Sequence, residues 1–251
     1  MSGEASGVIL GLFLIFCRIG SCLMLLPGYS SVNIPAQIRL FVAFALSIAI
    51  SPGLLPQIVP VVGAASDSMR LELIMGEILN GAMIGLLGRV FILALQFAAN
   101  FMAFAVGMGQ SIGTPMDESD PVPALVTLIT LTATVMIFSL NLHAEIIHAM
   151  IASYLTLPVA LGFSPRTGLV ALTDNLDETF RLCLRIASPF VVYAVVVNLA
   201  IGLANKMTPQ IPVYFISLPF VLAGGLFLLG YSLGDFLSEF IDAFRFWVLN
   251  G

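Results

Sequence analysis

The sequence predicts an all-α integral membrane protein with about six apolar helical segments, and three observations lead to this prediction. Of the 251 residues, 59% are hydrophobic and only 9% are charged, whereas an average soluble domain has roughly a quarter charged residues. Several apolar runs approach the roughly 20 residues that a helix needs to cross the hydrocarbon core of a bilayer. The runs are continuously apolar and do not alternate with a period of two, which favours helices over the strands of a transmembrane β-barrel.

The first two apolar runs cover residues 8–26 and 40–56. The first is interrupted only by Arg18. The second ends among Pro52, Gly53 and Pro56, which are strong breakers of regular structure, so we expect its far end to be irregular.

The middle of the chain holds one very long apolar run and two shorter ones. Residues 71–106 are too many for one upright span, so we expect a long tilted helix, a broken helix, or two pieces that turn near Gly88-Arg89. Residues 122–140 form the next run. After a polar interruption at 141–145, residues 146–161 are apolar again.

The last two runs, 186–204 and 211–229, predict a helical hairpin whose turn contains Asn205, Lys206, Pro209 and Gln210. A polar connection at 164–185 separates this hairpin, taken as 186–234, from a helical region at 1–163. Residues 235–251 carry apolar side chains at helical spacing opposite acidic ones. They predict an amphipathic C-terminal helix on the membrane surface or against a partner subunit.

The composition excludes several classes of function. The nine Lys and Arg residues are scattered and the net charge is −5, so nothing predicts nucleic-acid binding. His143 and His148 are five residues apart, a spacing that does not place both on one helical face, so we expect no metal site. No phosphate-binding glycine loop or serine-nucleophile motif occurs. We therefore expect neither an enzyme nor a cofactor.

Arg18 lies near the middle of the first apolar run, where a charge costs at least about 2.5 kcal/mol on insertion scales. Its side chain should therefore face protein or water and not lipid. One interpretation is an ion pair that joins two helices, with Glu72 or Glu77 as the partner. The other is a charge that lines an aqueous path.

The segment from residue 106 to residue 121 predicts a pliable loop between two spans. Three glycines within seven residues disfavour a helix, and methionine side chains pack flexibly. Either this is an ordinary solvent loop or it is tucked into the protein. The residues that give it this character are Gly107, Met108, Gly109, Ser111, Ile112, Gly113 and Met116. Separately, Gly81, Gly85 and Gly88 share one helical face and predict close helix packing.

Several segments together resemble the FliR/SctT family of the bacterial type III export gate. They occur in order, from about residue 18 to residue 229, and each is modest alone. They are VNIPAQIR at 32–39 before Ile50-Ser51-Pro52, the loop at 107–121, Asn141 with His143, NKMTPQ at 205–210, and FISLP at 215–219.

The resemblance implies a fold and a function that composition does not supply. It implies a FliP-like four-helix front joined to a FliQ-like C-terminal hairpin, and a plug formed by the loop at 106–121. It implies a subunit of the flagellar export channel, which passes unfolded flagellar subunits across the bacterial inner membrane within the basal body. The implied partners are FliP-like, FliQ-like, FlhB-like and FlhA-like proteins, together with the unfolded substrates and the bilayer.

Two other functions stay open on the sequence. An injectisome export-gate subunit would carry the same motifs. A small-solute permease would need two matching halves with broken helices at the membrane midplane. The sequence has no evident internal repeat, which disfavours this function.

Overall fold

The computed structural model describes residues 2–26, 28–29, 34–109 and 123–250. In this part of the chain every regular element is a helix, which confirms the all-α prediction. In chain order the helices are α1 (Ser2–Leu25), α2 (Ala36–Ala64), α3 (Asp67–Val106), α4 (Ala124–Ser139), α5 (Leu142–Thr156), a 3₁₀ turn (Val159–Leu161), α6 (Pro165–Met207) and α7 (Val213–Asn250).

The helices reproduce the predicted number of apolar segments. Helices α1, α2, α3, α6 and α7 are each long and apolar enough to cross a membrane, and α4 with α5 forms a sixth candidate that is bent by 70°. The bend falls at Asn141, whose φ of 58° interrupts the helix between Ser139 and Leu142. Asparagine tolerates this left-handed conformation better than most residues.

Helix α2 differs from the sequence prediction. It continues through Pro52, Pro56 and Pro60 to Ala64, so the expected irregular end was wrong. The prolines are four residues apart, so the backbone positions that they disturb lie on one side of the helix. The opposite side remains free to pack, and Leu54, Ile58 and Val62 are buried there.

Helix α3 is continuous over 40 residues, and no turn interrupts it near Gly88-Arg89. At about 1.5 Å per residue it is roughly 60 Å long, about twice the thickness of the hydrocarbon core. Helices α6 and α7, with 43 and 38 residues, are also longer than one upright span.

The polar stretch that follows residue 164 is helical and belongs to α6. Residues 235–250 likewise continue α7 without a break. Phe240 and Phe244 on this last part are fully buried, and their rings stack with centroids 6.2 Å apart. Part of the apolar face of residues 235–250 is therefore covered by the chain itself.

The chain forms two compact units. The first contains Met1–Phe91, Asn141–Leu176 and Val248–Gly251. Its core includes Leu14, Ile15 and Leu23 of α1, which packs on α2. The second unit contains Ile92–Leu140 and Asp177–Trp247. Its fully buried side chains include Leu95, Met102, Phe190, Phe240 and Phe244.

Candidate functional site

The first unit contains a buried ion pair between α1 and α3. Arg18 and Glu77 each expose 1% of the side chain. Arg18 Nε donates to Glu77 Oε2 at 2.7 Å, and Arg18 Nη2 donates to Glu77 Oε1 at 2.6 Å. This bidentate arrangement is the strongest geometry available to an arginine and a carboxylate. Of the two candidate partners, the structure selects Glu77, and Glu72 is exposed.

Three contacts from α5 and the residue that follows it complete the surroundings of the Arg18 guanidinium. Its Nη1 donates to Ser153 Oγ at 3.2 Å, and its Nη2 donates to the Leu157 carbonyl at 2.8 Å. The guanidinium carbon lies 3.9 Å from the centre of the Tyr154 ring, which is a cation–π contact. Arg18 therefore connects α1, α3 and the end of α5.

Two glycines of α3 allow the close approach that this ion pair requires. A β-carbon on Gly81 would collide with the Arg18 carbonyl and with Ser21. One on Gly85 would lie 2.5 Å from the Cys22 carbonyl. The prediction of close helix packing through small residues is confirmed at these two positions.

In the second unit, the predicted loop begins with a defined turn at the end of α3. Gly107 has a φ of 86°, in the left-handed region. The Gly107 N–H donates to the Phe104 carbonyl at 3.1 Å, and the Met108 N–H donates to the Ala103 carbonyl at 2.8 Å. These bonds form a Schellman motif, which favours glycine at the left-handed position. The chain therefore leaves α3 in a fixed direction.

The next glycine is required for a different reason. Gly109 lies against the Phe104 ring so closely that a β-carbon there would overlap it. Gly107 also borders a hollow of about 70 Å³ between the end of α3 and the helices α6 and α7. Leu218 and Val221 of α7 line this hollow, and a β-carbon on Gly107 would lie at ordinary van der Waals distance from both.

The other predicted loop residues, Ser111, Ile112, Gly113 and Met116, lie outside the described residues. The predicted turn of the hairpin is described in full. Asn205 and Lys206 are in the last turn of α6, while Pro209 and Gln210 lie between α6 and α7. All four are exposed.

The sequence did not single out the contacts that hold the hairpin. Tyr193 Oη of α6 donates to the Val221 carbonyl of α7 at 2.6 Å. This approach depends on Gly224, where a β-carbon would lie 2.9 Å from Tyr193 Oη. Gly225, the next residue, accommodates the buried Val106 at the end of α3. In the sequence, the adjacent glycines Gly224 and Gly225 are the feature that could have indicated this close packing.

Other ion pairs among the described residues involve more exposed side chains. Arg181 pairs with Asp177 one turn away on α6, and Arg185 pairs with Glu239 across to α7. Among the described residues no group of three His, Cys, Asp or Glu side chains is placed to hold a metal ion.

Several long apolar helices and a buried ion pair between two of them define a multi-span helical membrane protein. Its sequence matches the family described as bacterial export proteins, family 1, over residues 9–246. Because the match covers nearly the whole chain, the chain belongs to this family.

Individual relatives agree with the family assignment. The chain is 30% identical to the flagellar biosynthetic protein FliR of Aquifex aeolicus over 247 residues, covering 94% of this chain and 93% of the relative. It is 27% identical to FliR of Caulobacter vibrioides over 240 residues, with 92% of both chains covered. It is 26% identical to FliR of Escherichia coli, with 84% and 80% covered. The resemblance proposed from the sequence motifs is confirmed.

Proposed function

We infer that this chain is a subunit of the flagellar type III protein export gate. The observation that carries the inference is the family match over residues 9–246, together with FliR relatives that align along nearly their full length. The long apolar helices, of which α6 and α7 are mostly unburied within the chain, fit a role inside a larger membrane assembly. In this role the chain forms part of the path by which unfolded flagellar subunits leave the cytoplasm.

The assembly partners that we propose are FliP-like and FliQ-like membrane subunits, with FlhB-like and FlhA-like export proteins attached. The location that we propose is the inner membrane within the flagellar basal body. Helix exposure supports a requirement for partners, because only 17% of the most apolar 18-residue stretch of α6, and 11% of that of α7, is buried within the chain. The proposed FliP-like front and FliQ-like hairpin divide near residues 164–185.

Co-purification tests the assembly directly. The tagged chain should be recovered in a stable complex only when FliP-like and FliQ-like subunits are expressed with it. A small-solute permease would be self-sufficient, so a stable, monodisperse chain purified alone would contradict the proposal. The matched control is the same tagged chain expressed with only one of the two partners.

Within the gate we propose that the loop at 106–121 is a steric plug. The Schellman turn at Gly107 and the packing of Gly109 on Phe104 support a loop whose starting direction is fixed. Met108, Ile112 and Met116 would supply apolar bulk, and the glycines would let the backbone move when a substrate enters. No residue of the loop has a catalytic role in this proposal.

Deleting residues 109–116 should leave the complex assembled but permeable to ions. The measurement is membrane conductance in cells that carry the deletion, beside co-purification of the complex. Gly230→Ala is a suitable control, because a β-carbon at this exposed glycine meets no other atom within 4 Å. An assembled and fully tight channel would place the seal on another subunit.

A further inference from the structure

Helix α2 has two different outer surfaces along its length. Its first half exposes large apolar side chains: Phe41 is 75% exposed, and Phe44 and Ile48 are about half exposed. From residue 49 to residue 64 no large hydrophobic side chain is exposed. The exposed residues there, which we call the proline face, are Ala49, Pro52, Gly53, Pro56, Gln57, Pro60, Gly63 and Ala64.

The prolines remove backbone hydrogen-bond donors along this face. A proline has no N–H, so the carbonyl four residues before it loses its usual helical donor. The affected carbonyls are those of Ile48, Pro52 and Pro56. Ser51 Oγ donates to the Ile48 carbonyl at 2.8 Å. For the Pro52 and Pro56 carbonyls, no side-chain donor occurs among the described residues.

The Pro52 carbonyl cannot be placed outside the membrane if α2 crosses it. The helix has 29 residues, Ala36–Ala64, and a crossing takes about 20 of them. A 20-residue crossing that starts at 36 ends at 55, and one that starts at 45 ends at 64. Every placement therefore contains residues 45–55. A backbone carbonyl without a donor in lipid costs several kcal/mol.

We propose that the proline face of α2 lines an aqueous passage used by the exported polypeptide. Water supplies donors to the Pro52 and Pro56 carbonyls, which lipid cannot do. The face carries no charge and no large hydrophobic side chain, so we expect it to bind a passing polypeptide of any sequence only weakly. The opposite side of α2 is buried at Leu54, Ile58 and Val62, and Ile58 lies against Gly11 of α1. The inference rests on the proposed export function and names one surface that performs it.

Cysteine labelling in the intact complex, in membranes, tests this assignment. The probe is a charged, membrane-impermeant methanethiosulfonate reagent, which reacts with the thiolate and so needs a hydrated thiol. Gly53→Cys and Gln57→Cys report the proline face. Phe44→Cys reports the exposed apolar surface of the same helix, and Ile58→Cys reports its buried side. The unsubstituted chain gives the background, because Cys17, Cys22 and Cys183 are buried.

The inference predicts labelling at Gly53→Cys at least about tenfold faster than at Phe44→Cys or Ile58→Cys, because the thiolate forms poorly outside water. An export substrate arrested in the channel should then slow labelling at Gly53→Cys. Equally slow labelling at all four positions would overturn the aqueous assignment. Fast labelling that an arrested substrate does not change would overturn the passage assignment.

Secretion of flagellar subunits, measured in the same cells, separates this inference from the proposed function. If the variants export normally and Gly53→Cys is not labelled, the surface assignment fails and the export function stands. If cells that lack the chain altogether export normally, the function itself fails, whatever the labelling pattern.

Discussion

Replacing Arg18 by leucine removes the charged centre of the contact between α1, α3 and α5. The Glu77 carboxylate then stays buried without its two bonds of 2.7 and 2.6 Å from the guanidinium. The Leu157 carbonyl also loses a donor at 2.8 Å. Breaking a buried ion pair by removing one partner costs about 3–5 kcal/mol. We therefore expect Arg18→Leu to lower the yield of intact complex, even though leucine inserts into a membrane more readily than arginine.

A second variant separates the effect of leaving Glu77 unpaired from the effect of losing the bulk of the arginine side chain. In Arg18→Leu with Glu77→Leu no buried charge remains, and replacing both members of a buried pair by apolar residues is often nearly neutral. The Leu157 carbonyl still lacks its donor, which costs about 1–3 kcal/mol. The double variant should therefore be more stable than Arg18→Leu alone. A difference of about 1.4 kcal/mol corresponds to tenfold in the equilibrium between intact and dissociated complex.

The assay is the midpoint of complex dissociation in increasing denaturant, followed by size-exclusion chromatography. Arg181→Leu is the control, because its ion pair with Asp177 is formed by side chains that are 77% and 62% exposed. Such pairs contribute less than about 1 kcal/mol. The reasoning would be refuted if Arg18→Leu matched the unsubstituted complex or improved its yield, or if the double variant were no better than Arg18→Leu.

Three further substitutions test individual contacts. Gly107→Ala should cost about 1–2 kcal/mol in the left-handed turn and raise ion conductance while the complex still assembles; unchanged conductance would count against a fixed loop direction. Gly81→Val should abolish co-purification of the complex, because its side chain would collide with the Arg18 carbonyl. Tyr193→Phe should lower the dissociation midpoint only slightly, since a hydrogen bond between membrane helices contributes about 0.6 kcal/mol on average. Complete loss of export in Tyr193→Phe would show another role for this hydroxyl.

The class of fold was predictable because it depends on composition and on the length of apolar runs. The end of α2 was not predictable in the same way, because each proline by itself indicates a break in a helix. With Pro52, Pro56 and Pro60 four residues apart, the disturbed positions share one side and the helix continues on the other. For residues 71–106 the sequence left a long helix, a broken helix and a turn near Gly88-Arg89 open, and the structure has the long helix.

The burial of Arg18 was predictable from the sequence, but the identity of its partners was not. A charge inside an apolar run predicts burial against protein, but Glu72 and Glu77 were equally acceptable partners on the sequence. The choice depends on how α3 lies on α1, which is set by the contacts at Gly81 and Gly85. Ser153 and Leu157, which also contact the Arg18 guanidinium, lie 135 and 139 residues after Arg18 in the sequence. Helical spacing patterns relate residues a few positions apart, so they could not predict these two contacts.

For the segment after α3, the sequence likewise predicted a loop but not the side-chain contacts. Its glycine content predicted a loop after α3, and Gly107 occupies the left-handed position that glycine favours. The contact of Gly109 with Phe104 and the proximity of Leu218 and Val221 to Gly107 depend on side-chain and helix placement, and the sequence alone did not indicate them.

Secretion of flagellar subunits into the medium is the direct test of whether this chain belongs to the export gate. The comparison is between cells that lack this chain, the same cells supplied with it, and cells supplied with the Arg18→Leu variant. We expect secretion to be lost in the first, restored in the second and reduced in the third, while an unrelated secretion pathway stays unchanged in all three. Normal secretion of flagellar subunits by cells that lack the chain would contradict its assignment to the export gate.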